Sequence, residues 1–204
     1  MFDLLTENQI QSLCDFLKPR LSKKRFTHSV NVANEAQKLA KKYGVDTDSA
    51  FIAGYLHDCA KELSLEEQKE LMSRSDFPID KVEYVATPLF HAIAGAVVVK
   101  EQLGITDAGI LTAIRYHTVA APNMSGLSEV IYLADLISED RDYKDVKHMR
   151  KLSYESLNGA MLEAYHDGSE GSYVEKNLMR PSVLGYAELK LNPKGKVNIE
   201  LHPY

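Results

Sequence analysis

The chain has 204 residues, 45% of them hydrophobic and 26% charged, with a formal net charge of −5. This length and apolar content predict a single domain, or a domain with a tail, around one sizeable core. The acidic balance argues against a general nucleic-acid binder, because clustered lysine and arginine carry affinity for phosphate backbones. No stretch approaches the roughly 20 apolar residues of a membrane span, and the first residues do not resemble a signal peptide.

Helical periodicity, interrupted by glycine, proline and capping residues, runs from the start of the chain to about residue 166. Thr87 is expected to cap a helix that Pro88 opens, which puts His91 in its first turn. The pattern as a whole predicts an all-α domain. Its candidate helices are Thr6–Leu17, Lys23–Tyr43, Thr47–Lys61, Leu65–Arg74, Pro88–Leu103, Asp107–His117, Ser128–Ile137 and Val146–Tyr165.

The sequence pattern changes at Gly168. A polar stretch, DGSEGS, is followed by apolar and polar residues that alternate on either side of an NPKG turn, which predicts a C-terminal β-hairpin. An isolated hairpin is marginal in water, so the tail should dock on the domain or pair with another chain. The sequence thus predicts a helical domain over residues 1–167 and a linker with a hairpin extension over residues 168–204.

Six residues of metal-ligating type recur along the helical region: His28, His57, Asp58, His91, His117 and Asp135. His28, His57, His117 and Asp135 each lie on or end an apolar stripe with helical spacing, so these four are expected to point into the core. Neighbours on a helix project about 100° apart, so the adjacent pair His57-Asp58 could face two metal positions. Unpaired burial of six such groups is disfavoured, and divalent metals accept both ligand types. A dinuclear hydrolase site is the leading hypothesis.

Several motifs resemble those of the HD-domain superfamily: RFTHS at 25–29, YLHDCAK at 55–61, FHAIAG at 90–95, IRYHT at 114–118 and YLADLISEDRDY at 132–143. Within that superfamily, residues 8 to 165 resemble the bacterial symmetrical bis(5′-nucleosyl)-tetraphosphatases. Members of that family cut diadenosine tetraphosphate into two molecules of ADP. The chain departs from its relatives in the predicted hairpin tail and in the sequence LISEDRDY that follows the motif aspartate.

The resemblance implies an HD-type helical bundle that acts as a metal-dependent phosphohydrolase. It implies that one metal is held by His28, His57, Asp58 and Asp135 and the other by Asp58, His91 and His117, with Asp58 bridging and a metal-bridging hydroxide as the attacking group. Iron is the metal that it implies most often, although this ligand set would also accept manganese or another first-row metal. Homodimers are the assembly that it suggests.

Cationic side chains near the motifs are candidates for contact with a polyphosphate. Lys61 is expected to act beside Asp58 in catalysis and to bind phosphate, and Arg141 is expected to bind phosphate through its guanidinium. Arg25 and Arg115 flank candidate ligands, and either could pair with a carboxylate or with the substrate.

Other functions remain open at the level of the sequence. The metal core could serve a phosphohydrolase of a signalling nucleotide or of a deoxynucleoside phosphate. A regulatory HD domain could bind a nucleotide without turnover, and a helical interaction module could have a satisfied polar core. The expected partner is a small-molecule nucleotide, with no nucleic acid or membrane. The two cysteines, Cys14 and Cys59, do not suggest a disulfide framework, so a cytoplasmic location is expected.

Overall fold

The computed structural model describes residues 5–81, 83–121, 123–167, 185–191 and 197–203, with side chains described as far as residue 164. Up to residue 167 the described chain is all-helical, as predicted. Its helices are α1 (Glu7–Leu17), α2 (Lys23–Tyr43), α3 (Thr47–Leu56), α4 (Leu65–Met72), α5 (Phe90–Leu103), α6 (Ala108–Tyr116), α7 (Gly126–Ile137), α8 (Val146–Glu155) and α9 (Leu157–Asp167), with a 3₁₀ turn at Thr87–Leu89.

The core forms where α2 and α3 pack together and both contact α7. The stripe predicted for α2 faces this core, since Val32, Ala36 and Leu39 are fully buried. A Cβ atom on Gly54 of α3 would lie only 3.0 Å from the Cα atom of Ala33, so glycine permits the close approach of the two helices. This approach brings the ends of α2 and α3 that carry the candidate ligands next to each other.

Three predicted helix limits are wrong. Helix α3 ends at Leu56 rather than Lys61, and the chain continues in tight turns with bonds from the amides of Cys59 and Lys61 to the carbonyls three residues earlier. The long last helix is broken at Ser156, whose side chain accepts a hydrogen bond from the amide of Gly159 and so starts α9. Such capping by serine competes with helix continuation.

The start of α5 also differs from the prediction. Thr87 does not cap it with its side chain but lies in the 3₁₀ turn with Pro88, and α5 follows from Phe90. His91 nevertheless lies in the first turn of α5, as expected. The remaining limits agree within two residues; α4, for example, ends at Met72 where Arg74 was expected.

Beyond the helices, β1 (Gly185–Leu191) pairs antiparallel with β2 (Val197–Pro203), with Leu189 opposite Ile199. The NPKG turn and the linker at 168–184 lie outside the described residues, so the hairpin tail and its docking stay predictions. None of the helices in the described part of the chain has both the length and the apolar character that a membrane crossing requires.

Candidate metal centre

The six predicted ligands meet at one place, where α2, α3, α6 and α7 pack against one another. His28 lies near the start of α2, and His57 and Asp58 follow α3 in a turn. His91 lies at the start of α5, His117 caps the end of α6 and Asp135 lies near the end of α7. All but the last are at most 4% exposed, and the side chain of Asp135 is 17% exposed. The predicted inward orientation is therefore confirmed.

Two groups of these side chains can hold metal ions. One consists of His28, His57 and Asp58, and we call it the His28 group. The other consists of Asp58, His91 and His117, and we call it the His91 group. In each group the potential ligand atoms lie within 4.8 Å of one another, and Asp58 belongs to both. These groups support the use of divalent metal.

Asp58 turns a different oxygen atom to each group. Its Oδ1 atom lies 3.2 Å from Nε2 of His91 and 3.6 Å from Nε2 of His117, whereas Oδ2 lies 3.7 Å from Nε2 of His57. The sequence pattern predicts that His57 and Asp58, as neighbours on a helix, face two metal positions, but both residues follow the end of α3 at Leu56. The turn after Leu56 produces the orientation instead.

Asp135 lies beside the His28 group. Its Oδ1 atom is 2.9 Å from Nε2 of His28 and 3.9 Å from Nε2 of His57. The shorter contact does not have the direction of a hydrogen bond, since Nε2 of His28 has no hydrogen-bond partner. Three potential ligand atoms thus converge without satisfying one another, which is the arrangement that a shared cation stabilises.

The imidazole rings are anchored through their other nitrogen atoms. Nδ1 of His57 lies 2.6 Å from the carbonyl oxygen of Gly54, and Nδ1 of His117 lies 2.7 Å from that of Ile114. A carbonyl only accepts, so each Nδ1 donates its proton and each Nε2 keeps a lone pair for a metal. The buried Nε2 of His57 has no hydrogen-bond partner. These residues therefore fit a metal ion.

The His91 group is equally compact. Nε2 of His91 lies 3.2 Å from Nε2 of His117 and 3.2 Å from Oδ1 of Asp58. Two imidazole nitrogens and one carboxylate oxygen thus surround a single small volume. Such a set of donors suits a first-row divalent metal.

Burial and charge set the protonation of these ligands in the metal-free protein. Burial lowers the pKa of His57 to about 3 and that of His91 to about 4, so both rings are neutral, which is the form that binds metals. Burial alone would raise the pKa of Asp58, but the neighbouring histidines, His57 first, hold it well below its ordinary value. Asp58 is therefore a carboxylate.

Three cationic side chains surround the two carboxylates. Nζ of Lys61 lies 3.1 Å from Nε2 of His91, and burial lowers the pKa of this lysine. Arg25 donates to Oδ2 of Asp58 over 3.2 Å, and Arg141 donates to the carboxylate and to the backbone carbonyl of Asp135. The structure thus brings both predicted phosphate contacts, Lys61 and Arg141, to the ligands.

The arginines that the sequence left undecided have different surroundings. Arg25 contacts the candidate ligand Asp58 and keeps 38% of its side chain exposed. Arg115 is fully buried and pairs with Glu83 at 2.7 Å, and it also donates to the carbonyl of Pro78. Arg115 therefore ties the segment before α5 to the helix that carries His117.

Sequence reasoning missed Asp140, whose Oδ2 atom lies 2.8 Å from Nδ1 of His28. The residue stands in the sequence LISEDRDY, in which the sequence analysis assigns a role to Arg141 alone. Its position five residues after Asp135 was the available signal. Only the path of the chain after α7 brings it to a histidine 112 positions earlier.

Residues 25–140 match the model of the HD domain. The chain belongs to the HD-domain family. The chain is 38% identical over 148 residues to a Bacillus subtilis protein named symmetrical bis(5′-nucleosyl)-tetraphosphatase. The aligned residues cover 72% of this chain and 79% of that relative. A Halalkalibacterium halodurans protein with the same name is 37% identical over the same shares of the two chains.

A solved structure also resembles this HD domain. It is a Clostridium acetobutylicum protein whose description is a predicted HD superfamily hydrolase involved in NAD metabolism. The two structures align with a TM-score of 0.74 and 37% sequence identity, over 78% of this chain and 84% of that one. The resemblance supports the HD-type helical fold inferred from the motifs.

Proposed function

We propose that this chain is a metal-dependent hydrolase that cleaves diadenosine tetraphosphate symmetrically into two molecules of ADP. The names of the relatives at 37 and 38% identity support the substrate. The single observation that carries the proposal is the shared carboxylate of Asp58, which belongs to both groups of potential ligands. A pair of ions on one carboxylate is the arrangement that two-metal phosphoryl chemistry uses.

We assign one ion to the His28 group with Asp135 and the second ion to the His91 group. When bound, the two ions would supply an activated water molecule and would offset the charge on the attacked phosphate. Asp58 holds the two sites together, and the anchored rings of His57 and His117 keep their Nε2 atoms directed at them. Iron is our proposed native metal, and manganese or another first-row ion also suits these donors.

The protein's own contribution beyond the ligands is positive charge. Lys61, Arg25 and Arg141 lie against the carboxylates and histidines of the centre, and each can donate to phosphate oxygens. We assign Lys61 to the phosphate that is attacked, since its ammonium group lies within hydrogen-bonding distance of the His91 ring. Charge placed in advance on a buried site stabilises developing negative charge more strongly than water does.

The remaining features of the proposal concern the whole protein. Residues 1–167 form the hydrolase domain, and residues 168–204 form a linker and a hairpin that docks on the domain or on a second copy in a homodimer. The two cysteines described, Cys14 and Cys59, are free thiols, which fits a cytoplasmic protein.

The test is hydrolysis of diadenosine tetraphosphate by purified protein whose metal content has been measured, with the products separated by chromatography. ADP as the only nucleotide product, with about two metal ions per chain, is the expected result. Formation of ATP with AMP would reject the symmetrical cut. The substrate panel should include a signalling nucleotide, a deoxynucleoside triphosphate and NAD, because turnover of one of these alone would move the assignment to another nucleotide.

The Asp58→Ala variant is the negative control for contaminating phosphatases. Protein that carries two metal ions and turns over no nucleotide in the panel would contradict the enzyme and favour a nucleotide-binding regulatory domain. Absence of bound metal together with absence of turnover would favour a helical module with a satisfied polar core.

A further inference from the structure

His28 differs from the other anchored histidines in the group that holds its Nδ1 atom. His57 and His117 donate to carbonyl oxygens three residues earlier in their own helices. His28 donates instead to the side chain of Asp140, at 2.8 Å. A carboxylate is a stronger acceptor than a carbonyl, and it increases the basicity of the ring that donates to it.

Asp140 is itself held by a second contact. Asn31, one turn after His28 on α2, donates through Nδ2 to Oδ1 of Asp140 over 3.0 Å. The two oxygens of Asp140 are therefore used by two different donors.

The backbone around Asp140 is fixed by Arg150 of α8. Its guanidinium donates to the carbonyl oxygens of Ile137 at 2.9 Å, Ser138 at 2.7 Å, Glu139 at 3.3 Å and Arg141 at 2.9 Å. One side chain thus binds the carbonyls on both sides of Asp140. This clamp sets the path of the turn that carries Asp140 toward His28 and Arg141 toward Asp135.

We propose that Asp140 is a positioning residue that orients His28 as a metal ligand and directs its Nε2 atom into the centre, with Asn31 and Arg150 holding Asp140 in place. The inference rests on the proposed assignment of His28 to a metal ion. It goes beyond that assignment because the turn after α7 then determines the metal affinity of one of the two sites, although this turn supplies no ligand itself.

Asparagine at position 140 separates this role from simple packing. It has nearly the same shape as aspartate, but it offers one acceptor oxygen where Asp140 uses two. Asn31 can turn its own amide to meet the new NH₂ group, but Asp140→Asn loses the charged contact between His28 and a carboxylate. Loss of such an outer contact lowers metal affinity about 10- to 100-fold.

The experiment titrates metal-free full-length protein with Co²⁺ and follows its visible absorption, which reports the ligands of each ion without any need for turnover. Wild type is expected to bind about two ions per chain. Asp140→Asn should bind one of them about 10- to 100-fold more weakly and leave the other unchanged. Asp140→Glu, which keeps two acceptor oxygens, should recover part of the loss.

The matched control is Asp142→Asn, which makes the same change of charge at an exposed position of the same segment. It should bind both ions as wild type does. Circular dichroism and thermal melting establish that the variants fold. If Asp140→Asn does not fold, Asn31→Ala removes the second support of Asp140 from the opposite side and should weaken the same ion by a smaller factor.

The outcomes separate this inference from the assignment beneath it. Wild type that binds no metal would overturn both. Two normal ions in Asp140→Asn, or equal weakening in Asp142→Asn, would overturn the role of Asp140 and leave the centre intact. Weakening of both ions to the same extent would also overturn it, since the ligand that Asp140 contacts, His28, belongs to one of the two groups.

Discussion

The two groups of the candidate metal centre are built in different ways. In the His91 group, His117 is anchored to a carbonyl three residues earlier, and His91 lies in the first turn of α5. In the His28 group, His57 has the same kind of anchor on the carbonyl of Gly54, but the ring of His28 is held by Asp140, 112 positions later. The His91 group uses helix ends, and the His28 group adds a contact across the fold.

This difference has consequences for robustness. An anchor on the backbone of the same helix survives most substitutions, because it needs only that the helix forms. An anchor on a distant side chain is lost by a single change, and it depends on the packing of α8 through Arg150. We expect metal binding by the His28 group to be the more easily weakened of the two.

Asp58→Ala should remove the difference between the groups, because both lose their shared ligand. We expect loss of both metal ions and a fall of activity to the level of metal-free protein. Elemental analysis of the purified variant, with circular dichroism as a check of folding, measures this. Full metal content with full activity would contradict the assignment of the centre.

His91→Ala should separate the groups. The variant should keep about one ion, held by the His28 group, and should lose turnover, because both ions are needed for the reaction. Metal content and product formation are measured on the same preparation. His148→Ala is the control, since His148 is exposed and its contact is with Glu163; retention of two ions by His91→Ala would contradict a separate second site.

The stability of the metal-free protein should depend on pH in one direction through His57 and His91 and in the other direction through His28. The pKa of His57, about 3, and that of His91, about 4, lie below the unfolded value near 6.5. Their contribution to stability is therefore complete above pH 6.5 and is lost as pH falls toward 4. Each pKa unit corresponds to about 1.4 kcal/mol, so the loss is on the order of a few kcal/mol.

His28 works against this trend. Burial alone would lower its pKa, but Asp135 outweighs burial and raises it, so its contribution is present below its unfolded pKa and is lost as pH rises through the folded value. Two lowered groups outweigh one raised group. Denaturant unfolding of chelator-treated protein at pH 7 and pH 5 should give a lower free energy of unfolding at pH 5, and equal values would contradict the prediction.

Lys61→Ala should have the smallest effect on the centre itself, because lysine is not among its ligands. We expect metal content to stay at the wild-type value and kcat/KM to fall about 10- to 100-fold, the size of one hydrogen bond to a charged group. Steady-state kinetics with diadenosine tetraphosphate measures this. Lys24→Ala, at an exposed position of α2, should match wild type; an equal loss in both variants would indicate a general charge effect.

The structure differs from the sequence prediction at helix ends, where local hydrogen bonds compete with continuation of the helix. Apolar periodicity predicts that the third helix extends to Lys61. The helix instead ends at Leu56, and the ring of His57 donates to the carbonyl of Gly54. Apolar periodicity also predicts one helix where the structure has α8 and α9, because periodicity alone does not reveal that Ser156 caps a new helix. Both errors lie at helix ends, where capping and packing decide what propensity leaves open.

The sequence by itself determined the helical class, and it predicted the inward direction of candidate ligands and a shared site for them, because apolar spacing and ligand type are local properties. Only the tertiary structure decided that the two oxygens of Asp58 face different groups, that Arg25 lies on Asp58 and that Asp140 contacts His28. These contacts depend on where a turn points once the helices have packed, and no pattern along the chain encodes that direction.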